Sequence, residues 1–128
     1  MKLIALLITS VSFLPLAAAD VSIEENHETV TVDCDKDPHV NVAGNHIAVT
    51  LTGICKKVML SGNHATLTGS AAAVWMSGNE NTAILEAVDS LSVPGNHNTA
   101  TWKKTINTKL KKPKISNPGN KNTITRTK

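Results

Sequence analysis

Four of the five histidines fall into one phase of a repeat. His27, His46, His64 and His97 each follow an Asn, and the two remaining stations of that phase hold Glu80 and Lys121. Imidazole nitrogens ligate zinc and copper, and a carboxylate can complete such a set. If the repeats stack as strands, successive members lie about 4.8 Å apart. His27, His46, His64 and His97 are then candidate metal ligands. The competing reading is a polar corner residue. It is favoured, because nothing around the column supplies the ligand-orienting groups that metal sites use. No cofactor is expected.

Cys34 and Cys55 are the only cysteines. Zinc sites take about four ligands, and no Cys-x-x-Cys pair is present. In an exported chain two cysteines are most simply a disulfide. Residues 103–128 carry nine bases and no acid, and Lys109, Lys111, Lys112 and Lys114 crowd one short segment. Residues 20–37 carry seven acids and one base. The four lysines are a candidate anion-binding set, for an anionic envelope polymer or for the acidic end of another copy. No motif for specific nucleic-acid recognition is present. No Ser-His-Asp order or phosphate loop appears, and the titratable groups do not converge as a catalytic site requires. The chain is read as a non-enzyme.

The elements that must carry these residues come from the repeat. Gly-Asn recurs at Gly44, Gly62, Gly78, Gly95 and Gly119, with a degenerate copy at Glu25-Asn26, in steps of 19, 18, 16, 17 and 24 residues. Four positions before the Gly stand Val21, Val40, Val58, Val74, Leu91 and Ile115. Five after it stand Val30, Val49, Leu67, Ala83, Ala100 and Ile124. Two before and seven after it the pattern is again apolar, broken only by Asn117, Gly69 and Arg126. A spacing of two within each repeat reads as two short half-buried strands around a turn.

Two architectures fit: a β-hairpin meander and a single-domain parallel β-solenoid of about six short coils. The Asn filling all six stations favours the solenoid, because stacked Asn side chains hydrogen-bond from coil to coil. The Gly before it is expected to supply positive φ at the corner. The alternate, outward positions four and six after the Gly are Thr in ten of twelve cases, interrupted by Ala48 and Ile84. Such a face is ordinary β-former usage or a regular array that binds ice or another surface. Trp75 also falls outward, with Met59 beside it in the preceding copy.

The first 19 residues read as a secretory signal peptide. Lys2 precedes an apolar run from Leu3 to Leu16, too short to span a bilayer, and Ala17-Ala18-Ala19 offers a cleavage site before Asp20. No transmembrane anchor is expected, and the mature protein is placed in the periplasm or outside the cell. Residues 20–128 form one domain. The only Phe leaves with the leader, so the mature aromatics are Trp75 and Trp102. A thin aliphatic core suits a narrow stack better than a ball. The formal net charge of +3 hides opposite charge at the two ends.

The pattern Gly-x-x-Asn-Thr-x-Thr, with two cysteines early in the repeats, resembles the bacterial domain-of-unknown-function 3060 family. Gly78-Asn79-Glu80-Asn81-Thr82, Gly95 through Thr101, Gly119 through Thr125, and Cys34 with Cys55 carry the likeness, over roughly residues 30–128. The copies at Gly44 and Gly62 depart from it, with Ile47 and Ala65 where later copies have Asn81, Asn98 and Asn122. The resemblance implies an exported β-repetitive protein and brings no activity. The expected role is a binding or structural module.

Overall fold

A computed structural model describes residues 20–128 of the chain; the signal-peptide expectation lies outside the described residues. Nine strands follow in order: β1 (Asp20–Ile23), β2 (Thr29–Asp33), β3 (His39–Val42), β4 (Ala48–Leu60), β5 (Thr66–Met76), β6 (Thr82–Ser92), β7 (Thr99–Lys104), β8 (Lys114–Ser116) and β9 (Thr123–Arg126). All eight strand pairings among them are parallel. A hairpin meander requires antiparallel neighbours, so the fold is the all-β parallel solenoid. Its six corner stations bound about five full turns, one fewer than a count of corners suggests.

The repeat columns are the ladders. Val21, Val40, Val58, Val74, Leu91 and Ile115 are successive register partners. So are Val30, Val49, Leu67, Ala83, Ala100 and Ile124. The interior members of both columns are buried, and they pack into one continuous core with Ile23, Val42, Leu60, Met76 and Val93. Cys55, Ala71 and Val88 add a further inward column in register. That column escapes the repeat alignment because the register slips between Thr50 and Ile54 and again between Gly69 and Ser70. Gly69, with φ +140°, fits under Leu51: a Cβ there would lie 2.6 Å from the Leu51 Cβ.

The corners correct one expectation. The positive φ belongs to His27, His46, His64, Glu80, His97 and Lys121, all between 56° and 61°. The glycines of the repeat are needed for closeness instead. A Cβ on Gly62 would overlap the carbonyl oxygen of Gly44, and one on Gly78 that of Gly62. Stacked corners approach within backbone contact, which leaves no room for a side chain.

Cys34 and Cys55 form the disulfide, with Cα atoms 4.7 Å apart across neighbouring coils. Both are buried, so the link closes the first turns from inside. At the other end the Arg126 guanidinium lies 5.1 Å from the centre of the Trp102 ring and covers it. The added basic segment before β8 is not loose. The Asp89 carboxylate accepts from the Ile106 and Asn107 N–H groups at 2.7 and 3.0 Å, and Pro113 is buried.

Candidate functional site

Three surfaces bring the sequence candidates together. The first is the corner groove. Outer asparagines form a ladder along it: Asn26 Oδ1 accepts from Asn45 N–H and Nδ2–H at 2.9 and 3.2 Å. Asn45 Oδ1 accepts the same pair from Asn63 at 3.1 Å each, and Asn63 Oδ1 from Asn79 at 3.2 Å each. The repeat predicted this ladder.

A second, inner ladder runs beneath it. Asn81 and Asn98 are 0% and 1% exposed. Asn98 Oδ1 accepts from Asn81 N–H at 2.8 Å, and its Nδ2 donates to Gly78 O at 3.0 Å. Asn122 repeats the arrangement, accepting from Asn98 N–H at 2.8 Å and donating to Gly95 O at 2.8 Å. These are the Asn positions of the family-like motif. Each serves backbone groups that burial would otherwise leave unpaired.

The histidines project from the left-handed corner. His27 stacks on His46 with ring centres 4.9 Å apart, and His46 on His64 at 4.7 Å, each pair 3° from parallel. His64 Nδ1 lies 3.6 Å from Glu80 Oε2. The stack brings the candidate ligands together without making them converge. A nitrogen lone pair lies in its own ring plane, so a metal about 2.1 Å from one ring lies off the plane of the next. Among the described residues no group of three or more His, Cys, Asp or Glu is placed to hold a metal ion. Left-handed φ accounts for the residue type, since His is among the few side chains enriched there.

The second surface is the Thr face. Thr66, Thr82, Thr99 and Thr123 are register partners in one rank, and Thr101 and Thr125 in the other beside Ile84. Thr29 and Thr31 continue both ranks to the first coil, beside Ala48 and Thr50. Thr29, Thr31, Thr50, Thr68, Thr99, Thr123 and Thr125 are exposed, and Thr66, Thr82 and Thr101 are half-buried. The adjoining face carries Trp75, 41% exposed, beside its partner Met59 and under Lys57 Nζ at 5.3 Å.

The third surface is the basic segment, where Lys109, Lys111, Lys112 and Lys114 are all exposed. Thr105 Oγ1 donates to the Leu110 carbonyl at 2.9 Å, and Lys109 N–H donates to Asn107 Oδ1 at 3.0 Å. The turn therefore holds its shape under the charges. Sequence reasoning found the lysines but not Asp89, whose anchoring role has no local signal.

Stacked parallel coils, an aliphatic interior and Asn-lined corners define a β-solenoid repeat protein. The profile of a family described as a protein of unknown function, DUF3060, matches residues 61–121. The matched stretch is similar to that family's profile; it is narrower than the resemblance suggested and leaves out both cysteines. No curated protein matches the chain. No solved structure matches it either. Among the described residues no helix is long and apolar enough to cross a membrane.

Proposed function

We propose that this chain is an exported, non-enzymatic binding module whose contact surface is the Thr face. The observation that carries the reading is the two Thr ranks, interrupted at Ala48 and Ile84, held in register from the first described coil to the last. Rank members two residues apart on a strand are about 7 Å apart, and coils repeat at about 4.8 Å. A rigid parallel stack keeps both spacings constant. Such a grid of hydroxyls and methyls suits a ligand that is itself periodic, a crystalline surface above all. Ice is the surface on which the reading is tested. Purified protein should adsorb to growing ice and produce thermal hysteresis, and Thr99→Leu should reduce both. Absence of hysteresis and adsorption would leave the face as ordinary solvated β-structure.

Export is part of the same reading. Processing after Ala19 gives a mature protein that starts at Asp20, and the intact mass of secreted material tests this. The Cys34–Cys55 disulfide is compatible with an oxidising compartment.

A second reading rests on the basic segment. Lys109, Lys111 and Lys112 on a turn braced by Asp89, with Lys114 at the start of β8, make a patch of positive potential. Its ligand class is anionic envelope polymer.

A further inference from the structure

We propose that the two ends of the stack are complementary docking surfaces for a second copy of this chain, and that Glu25 keeps them apart. At the starting end β1 pairs only with β3, and β2 only with β4; at the finishing end β8 pairs only with β6, and β9 only with β7. Each end therefore leaves one row of strand edges without a neighbour among the described strands. Open parallel edges are templates for further pairing.

Continuing the columns by one step aligns most stations of the two ends. Lys114 of one copy falls beside Asp20 of the next, joining opposite charges. Ile115 falls beside Val21, and Ile124 beside Val30. Thr123 and Thr125 meet Thr29 and Thr31. The Asn ladder has the same polarity throughout: the earlier Asn accepts at Oδ1, and the later one donates. Asn120 Oδ1 accepts nothing among the described residues, and Asn26 N–H is the donor at the opposite end. Each corner residue also donates N–H to the Asn carbonyl of the following coil, as His97 does to Asn120 at 3.0 Å. Lys121 N–H stands ready for the same bond to Asn26 of a second copy.

Asn117 and Arg126 fall beside Ile23 and Val32 without matching them, and one residue blocks the approach of the backbones. Glu25 occupies the station that is Gly in the five other corners. The corner around it is built like the rest: His27 has φ 61°, Asn45 bonds back to Asn26 as later asparagines do, and Gly44 N–H reaches Ile23 O at 3.0 Å. At every later corner the Cβ direction of the station points back at a carbonyl oxygen of the preceding coil, close enough that a Cβ would overlap it. At Glu25 that direction faces outward along the stack axis. A second copy seated in register would drive its Gly119 carbonyl into the Glu25 Cβ. The block is steric and needs only the Cβ. Opposite charge draws the ends together, Glu25 prevents seating, and the chain stays finite instead of growing head to tail.

The test separates the Cβ from the charge. Exported wild type, Glu25→Ala and Glu25→Gly are compared by sedimentation across a concentration series at low and high salt. Glu25→Gly should assemble, its weight-average mass rising about twofold or more, and less so at high salt. Wild type and Glu25→Ala should keep the monomer mass. Adding Ile115→Lys to Glu25→Gly should restore the monomer, because it places a charge in the seam column. Assembly of Glu25→Ala equal to that of Glu25→Gly would overturn the steric stop. A monomeric Glu25→Gly, or an assembly indifferent to Ile115→Lys, would overturn the complementary ends.

Discussion

The α-carbon of Gly62 sits against the carbonyl oxygen of Gly44, with the Ala43 oxygen 2.8 Å from where a Cβ would stand. Both obstacles are backbone, so neither can rotate away. Gly62→Ala should cost about 3 kcal/mol or more, at the upper end of overpacking penalties. His64, two residues on, has φ 57°, where an L side chain is mildly strained. His64→Gly should therefore stay within about 1 kcal/mol of wild type. Urea unfolding of the two variants checks the contrast. Similar losses from both would mean the corner tolerates neither change and the division of roles is wrong.

The inner Asn ladder makes a second contrast. Asn98→Leu removes the acceptor of the Asn81 N–H and the donor to Gly78 O. Two buried backbone groups are left unpaired, at about 1–3 kcal/mol each. Asn79 is exposed, and its ladder bonds compete with water, so Asn79→Ala should cost about 1 kcal/mol. Thermal unfolding should rank Asn98→Leu well below Asn79→Ala.

Much of this fold was legible because a solenoid writes its geometry as a period. Val58 and Leu67 alternate with outward residues within a strand and recur coil after coil, so both the strands and their register follow. Gly62 was legible as a corner but for the wrong reason. Positive φ and close approach both demand Gly, and sequence alone does not separate them; His64 takes the first role and Gly62 the second. Asn81 and Asn98 were visible as motif letters, but not as buried groups, because they sit among polar corner residues. Ala71 escaped because the slip at Gly69 takes it out of phase. The histidines were legible as a column, while their parallel stacking depends on side-chain rotamers that the repeat does not encode.

The disulfide spans 21 positions. In the chain-entropy model a loop of that size is worth about 3 kcal/mol. Cys34→Ser with Cys55→Ser should lower stability by that order and leave the strand signal in circular dichroism intact at low temperature. Because both sulfurs are buried, the link in the wild type should resist mild reductant until the first coils open. Peptide mapping without reductant locates it.

The inward and outward assignment is tested by one pair of variants. Val58 is fully buried between Val40 and Val74, and Val58→Asp places a charge with no partner in the core. It should unfold or aggregate the protein. Thr99 is exposed, and Thr99→Ala should change stability by no more than about 0.5 kcal/mol. Equal damage from the two would overturn the face assignment on which the Thr reading depends.

The basic segment yields the last prediction. Lys109, Lys111 and Lys112 stand on a turn tied to the body by Asp89 and Lys114 opens β8 beside it, so charge and anchoring can be removed separately. Replacing Lys109, Lys111, Lys112 and Lys114 by Gln takes away four exposed charges and touches no core column; unfolding should be unchanged within about 0.5 kcal/mol. Retention on an anionic matrix should fall, and the salt needed to elute the protein with it, since screening acts over about 8 Å at physiological strength. Asp89→Ala should do something different. It keeps every lysine but frees the Ile106 and Asn107 N–H groups, so the charges remain and their arrangement loosens. If binding needs only net charge, Asp89→Ala should bind as wild type or slightly better, having lost an acid. If binding needs the fixed turn, Asp89→Ala should weaken it despite the gain in net positive charge. The turn held by Asp89, Thr105 and Asn107 favours the second result. Unchanged retention of the Gln variant would remove the segment from consideration as a contact.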